Sequence, residues 1–181
     1  LQIPESVPSI KVDVISEKIA LAVKNGHRTI VFSQFKTALK GLEKALIEKG
    51  VRVIRYDGDT KKDIKLRIKA DMRRKPNGEQ PADYKYDVVL CNYKTGGVGL
   101  TFTGATYMAR MDVEWNPGKN DQSIARIHRI GQTEPVLCET FYIDKQEAGL
   151  GETPMGSIDL WMRDLVDLKE AMIVGFESEL A

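Results

Sequence analysis

Only two of the 181 residues are cysteines, Cys91 and Cys138, and they stand far apart, outside any metal-ligand spacing. They build neither a disulfide scaffold nor a zinc site, and they read as reduced core thiols of an intracellular protein. No metal-binding cluster is visible in the sequence. No apolar run approaches the length of a bilayer span and no signal peptide is visible, so no membrane partner is expected. Neither charge sign prevails, with 27 Lys and Arg against 26 Asp and Glu. That near balance argues against a general polyanion-binding protein, but it hides a local asymmetry. Residues 61–75 hold eight basic side chains against Asp63 and Asp71, whereas residues 157–181 hold six acids against Arg163 and Lys169. The basic run reads as a helix, either making a directed phosphate contact or presenting a solvated face. Two further absences matter most. There is no Gly-x-x-x-x-Gly-Lys-Ser/Thr cradle, and no Asp-Glu-x-His-type acidic block follows an apolar strand. The chain therefore has no phosphate cradle or magnesium site of its own.

What is present is an alternation. Helical spacing marks Val12 to Lys24, Phe35 to Leu46 and Lys61 to Arg74, broken at Asn25-Gly26 and Gly50. Short β-rich runs mark Arg28 to Ser33, Val51 to Tyr56, Asp87 to Cys91, Ala105 to Met111 and Val136 to Ile143. A turn-rich segment covers Pro76 to Pro81, and a glycine-containing loop Lys145 to Gly156. Ile158, Trp161, Leu165, Leu168 and Met172 then trace a stripe expected to be buried. Strands alternating with helices predict an α/β fold, a three-layer parallel sheet flanked by helices. The length suits one domain over 1–181, with 145–156 a loop and 157–181 a C-terminal helix packing on it. Ligand sites in such sheets lie beyond the carboxyl ends of the strands. Gln34, Asp57, Asn92 with Lys94, and Asp112 each follow a strand and should crowd that edge. The chain begins at Leu1 rather than Met, which suggests an excised fragment.

One stretch carries more than the rest: Asp121-Gln122-Ser123-Ile124-Ala125-Arg126-Ile127-His128-Arg129-Ile130-Gly131-Gln132. Gln122, Arg126 and Arg129 stand at i, i+4 and i+7, so a helix through them would place an amide and two guanidiniums on one face. Ile124 and Ile127 would face a core, and Gly131 would close the helix. Arginine forks suit phosphate oxygens, although spacing alone leaves a solvated charged face equally open. The string Gln-x-x-x-Arg-x-His-Arg-Ile-Gly-Gln resembles the last helicase motif of the Snf-two (Swi/Snf-type) family of DNA-translocating ATPases. Ile30-Val31-Phe32-Ser33-Gln34-Phe35, Asp57-Gly58-Asp59-Thr60, Gly96-Gly97-Val98-Gly99-Leu100 and Asp112-Val113-Glu114-Trp115-Asn116-Pro117 resemble four further family blocks, in the family's order.

The resemblance covers nearly the whole chain and implies a RecA-like helicase lobe two, P-loop-NTPase-like but without its own P-loop. It implies an ATP-dependent double-stranded-DNA translocase in which ATP and Mg are held mainly by the N-terminal RecA-like lobe of the same parent chain. Arg126 and Arg129 would reach that nucleotide, with Arg129 the finger and Gln122 orienting the cleft. Ser33, Gln34, Asn92, Lys94, Thr95 and Gly96 would touch the DNA backbone. Here the chain departs from the family: Asn92-Tyr93-Lys94-Thr95 replaces its usual residues, and Tyr93 reads equally as packing. Lys65 stands where the family has an arginine. Asp112 would either orient a motif arginine or cap the following turn. His128 reads as a structural hydrogen-bonder, His27 as a loop residue, and Trp115 and Trp161 as core anchors. The competing reading is a non-catalytic nucleic-acid-binding or scaffold domain of the same fold. Compact spacing between the blocks favours a bacterial or phage source and a cytoplasmic rather than nuclear location.

Overall fold

Val31 and its neighbours in the first strand are β-branched or aromatic and wholly buried, the signature of a strand covered on both faces. The computed structural model describes residues 9–75, 83–96, 100–143 and 157–179. Along them run α1 (Ile10–Lys24), β1 (Thr29–Ser33), α2 (Lys36–Glu48), β2 (Val53–Tyr56), α3 (Lys62–Asp71), β3 (Val88–Asn92), α4 (Tyr93–Gly96), β4 (Tyr107–Arg110), α5 (Pro117–Ile124), β5 (Leu137–Thr140) and α6 (Ile158–Glu179). The strands form one sheet in the order β2-β3-β1-β4-β5, and every pair is parallel. This is the expected α/β sheet. The Pro76–Pro81 turn segment, the Lys145–Gly156 loop and Gly97 to Gly99 fall outside the described residues.

Two apolar clusters cover the two faces. On one, Ile15 and Ile19 of α1 and Leu39, Leu42 and Leu46 of α2 pack on Val31, Leu90 and Ala109. On the other, Ile68 and Met72 join Leu100, Phe102 and Ile127 over Ile30, Phe32, Val89 and Met108. Helix boundaries follow local chemistry. The Ser9 hydroxyl caps α1, and Gly26 (φ 86°) and Gly50 (φ 75°) take the left-handed turns that follow α1 and α2.

Three expectations about burial fail, each for a reason of placement. Cys138 lies exposed on β5, an edge strand with half its residues exposed. Trp115 is 47% exposed, its ring set against Trp161 and beneath the Lys169 ammonium instead of in either apolar cluster. Most of the stripe on α6 faces out: Ile158, Trp161, Leu168 and Met172 are 76%, 49%, 53% and 55% exposed, Leu165 is half-buried, and Val166 is buried. Polar contacts fasten this helix. Asp159 holds Lys11 at 2.5 Å and accepts from the Ile143 amide at 2.9 Å, and Lys169 donates to the Trp115 carbonyl.

At the opposite, amino edge, Arg28 is a buried tie. Its guanidinium donates to the Asp71 carboxylate (2.6 Å), the Asp71 carbonyl (2.7 Å) and the Tyr86 carbonyl (2.9 Å), and it stacks on Tyr84. Burial lowers the Arg28 pKa and the attraction of Asp71 opposes it, so removing Asp71 would leave a buried charge without its carboxylate. Asp71→Ala should therefore cost about 3–5 kcal/mol, the range for stranding one member of a buried pair. Denaturant unfolding of the variant against wild type measures it.

Candidate functional site

The parallel register brings the carboxyl ends of the strands side by side. Ser33, the last residue of β1, pairs directly with Asn92, the last of β3, and Tyr56 pairs with Cys91, so Asp57 follows on the same edge. β4 delivers Asp112 beside the end of β1. Asp112 accepts the Ser33 hydroxyl on one carboxylate oxygen and the Gln34 amide (2.9 Å) on the other. Neither of its expected roles is the one observed: its carboxylate meets Ser33 and Gln34 rather than a motif arginine or its own following turn. Burial raises its pKa, partly offset by those two hydrogen bonds.

The expected DNA contacts divide by exposure. Ser33 is fully buried, Asn92 is 4% exposed, and Gln34 is half-buried. Asn92 donates to the Ser33 and Gln34 carbonyls (3.2 and 2.9 Å) and accepts from the Lys94 amide. Gln34 donates to the Val113 carbonyl at 2.8 Å. These side chains shape the edge from within instead of facing outward. Lys94 is exposed, Thr95 half-buried, and Gly96 ends α4. Tyr93 is core: it stacks on Phe32 at 5.4 Å and donates to the Asp112 carbonyl. Asp57 organises its own turn, accepting from the amides of Asp59 and Thr60, while Lys65 lies over the Tyr56 ring.

The motif stretch does not form the expected helix. α5 begins earlier, at Pro117 behind the Asn116 cap, and stops at Ile124. Gln122 lies exposed on its last turn, and both arginines fall in the irregular turns beyond it. Just beyond Ile124 the amides of Arg126 and Ile127 bond three residues back, to Ser123 and Ile124, and a tertiary bond keeps the helix from resuming. The Arg126 carbonyl, which a continuing helix would offer to Ile130, accepts instead from the Phe102 amide at 2.9 Å. Ile127 is fully buried in the cluster with Leu100 and Phe102, and Gly131 (φ 101°) reverses the chain. The shared helical face of Gln122, Arg126 and Arg129 is therefore absent. Burial lowers the Arg126 pKa and the charge of Arg129 adds to it, so the two arginines remain within electrostatic reach. Two cations held near one another form a site for an anion.

The segment between the glycine block and β4 holds this turn. Arg129 donates to Thr101 Oγ1 (3.0 Å), and Gln132 donates to the Ala105 carbonyl (2.8 Å). The neighbouring Thr103 carbonyl accepts from Arg74, which also pairs with Glu134 at 2.6 Å. Arg74 is thus structural, whatever the rest of the basic run does. Sequence reasoning passed over Thr101 and Thr103. The signal was there: Leu100-Thr101-Phe102-Thr103 alternates apolar and polar, and its apolar members are core. His128 is exposed, and His27 Nδ1 lies 2.9 Å from the Thr106 hydroxyl.

With this geometry in place, the comparisons with known proteins are decisive. The helicase conserved C-terminal domain profile matches residues 10–131. The chain belongs to the helicase C-terminal domain family. Its relatives are of Swi/Snf type. It is 32% identical over 76% of its length to an SNF2 domain-containing protein, ENL1, of Oryza sativa. It is 37% identical over 65% to DNA repair protein RAD5 of Saccharomyces cerevisiae, and 35% over 63% to a DNA excision repair protein ERCC-6-like of Danio rerio. It spans only 13%, 10% and 7% of those three proteins. The crystal structure of the C-terminal part of the Fun30 ATPase domain superposes over 93% of the chain and 55% of that structure, with TM-score 0.66 and 21% identity, which shows the shared RecA-like lobe fold. These relatives overturn the expectation of a bacterial or phage, cytoplasmic source, since they are eukaryotic proteins named for DNA repair or the SNF2 domain. Compact spacing misled because loop length reports what surface turns tolerate, not the kind of cell.

Within this helicase C-terminal domain, Gly131 is the reversal that returns the arginine turn toward β5. A Cβ there would meet open space except Thr103 at 4.0 Å, so substitution is strained by backbone conformation rather than by a clash. Gly131→Ala should cost about 1–2 kcal/mol, read as a lowered denaturant midpoint with an unchanged m-value.

Proposed function

We propose that this chain is the second lobe of an ATP-dependent double-stranded-DNA translocase, and that Arg126 and Arg129 complete a nucleotide site begun by the N-terminal lobe of the same parent protein. The observation that carries the reading is the pinned arginine turn: the Arg126 backbone carbonyl is held by the Phe102 amide and the Arg129 guanidinium by the Thr101 hydroxyl, in a chain without a Gly-x-x-x-x-Gly-Lys-Ser/Thr motif. Bound magnesium would neutralise phosphate charge from the first lobe. Arg129, the more exposed of the pair, would meet the charge that develops on the γ-phosphate, and Arg126 would hold the phosphate beside it. Gln122, exposed just upstream on α5, would face the same cleft.

On the DNA side, exposed Lys94 and half-buried Thr95, with Gly96 next at the end of α4, stand at the carboxyl edge, while Ser33, Gln34 and Asn92 fix its shape. An exposed lysine among backbone amides suits phosphate contacts that position a duplex without reading its sequence. The outward stripe of α6, continuous with Trp115 through the Trp115–Trp161 contact (ring centroids 6.1 Å), supplies an apolar face for the first lobe.

Arg129→Ala in the full-length protein should lower DNA-stimulated ATP turnover by roughly 10³–10⁵-fold while the fold survives. The isolated chain should hydrolyse ATP negligibly. Near-normal turnover of the variant, or turnover by the isolated chain that Arg129→Ala removes, would overturn the reading. Lys94→Ala should weaken duplex binding and reduce the slope of log affinity against log salt by about one. Titrations of a labelled duplex at several salt concentrations measure that slope.

A further inference from the structure

Asp112 is 9% exposed, and its carboxylate has two donors to satisfy at once: the Ser33 hydroxyl and the Gln34 amide. Besides those two donors, the charges of Lys11 and Asp159 act on it. What it grips is the first turn beyond β1. Because Ser33 gives its proton to Asp112, its oxygen is left to accept the Phe35 amide at 3.0 Å, which starts α2. The carbonyls of Ser33 and Gln34 are in turn held by Asn92, whose side-chain oxygen receives the Lys94 amide at 3.1 Å. A further bond closes the circuit, from the Tyr93 hydroxyl to the Asp112 carbonyl at 2.8 Å. One buried carboxylate thus fixes the turn after β1 and, through Asn92, the point at which Lys94 leaves β3.

We infer that Asp112 is a positioning residue for the DNA-facing edge, acting through the Ser33–Gln34 turn and Asn92 on Lys94, and is independent of the arginine turn. The inference rests on the proposed duplex-binding role of that edge. The chemistry requires a carboxylate. An asparagine has one acceptor oxygen, and its amide would point a second donor at a hydroxyl that already receives the Phe35 amide. Alanine would strand both donors in a buried place.

The test is ATP turnover by the full-length protein as a function of duplex concentration, for wild type, Asp112→Ala, Asp112→Asn, Ser33→Ala and the Ser33→Ala/Asp112→Ala double variant. Asp112→Ala should raise the half-saturating duplex concentration by about tenfold or more, the scale of one lost hydrogen bond to a charged group, with turnover at saturating duplex little changed. Asp112→Asn should fall between that variant and wild type. Ser33→Ala removes the same link with a smaller change of volume and should shift in the same direction. The double variant should go no further than Asp112→Ala, because both changes break one connection. Loss of turnover at saturating duplex with half-saturation unmoved would place Asp112 on the arginine side and overturn the inference. Unmoved half-saturation in Ser33→Ala, with wild type stimulated by duplex, would overturn it while leaving the proposed function standing. A wild-type protein that duplex does not stimulate would overturn both.

Discussion

All five strands run the same way, and a parallel strand can be followed only by a crossover that carries the chain back along a face of the sheet. Every β-to-α turn is therefore forced to the same edge, where no ladder satisfies the last carbonyls and amides. Ser33, Asn92, Asp57 and Asp112 are the responses to that constraint. Each is a short polar side chain at or just beyond a strand end, and each binds backbone of its own or a neighbouring turn. The sheet thus produces a crowded, internally bonded rim. On that rim, only the groups left over from the internal bonding face outward.

The arginine turn is the second product of the same topology. α5 starts at the rim and runs back across the face that already carries α3, so the residues after it must settle against the segment that leads into β4. Phe102 and Ile127 are both core there, and one amide-to-carbonyl bond between Phe102 and Arg126 keeps the helix from resuming after Ile124. A helix would have fixed the arginines by periodicity; here they are fixed by what they are fastened to. Thr101, which holds Arg129, stands five residues after Gly96, so the support of the arginine turn and the proposed DNA-facing edge are close in sequence.

Much of this was legible in the sequence where the signal is local. The wholly buried strands β1 and β3 read as continuous apolar runs, the glycines at 26 and 50 marked helix ends, and the ordered blocks identified the family. What stayed hidden depends on partners distant in sequence. Helical spacing through Gln122, Arg126 and Arg129 was real, but spacing cannot report that Phe102 takes the carbonyl on which the next turn depends. The periodicity of Ile158, Trp161, Leu165, Leu168 and Met172 says which residues share a face of α6, not how much of it is covered: only Leu165 is half-buried. Cys138 looked like core because strand sequence does not reveal edge position. Asp112 was singled out as an orienting group, but what it orients followed only from the register that sets β4 beside β1.

The outer strand has one more consequence. Among the described residues β5 has a strand neighbour on one side only, and its exposed Leu137 and Cys138 would make an open edge attractive to a stray strand. Its protection is brevity and punctuation. The strand runs only from Leu137 to Thr140, Pro135 removes a donor just before it, and Glu139 is held by Tyr107 and Lys18. So little free ladder gives an incoming chain too few hydrogen bonds to offset the cost of ordering it. The lobe can leave an edge uncovered without inviting aggregation there because the edge is too short to act as a template.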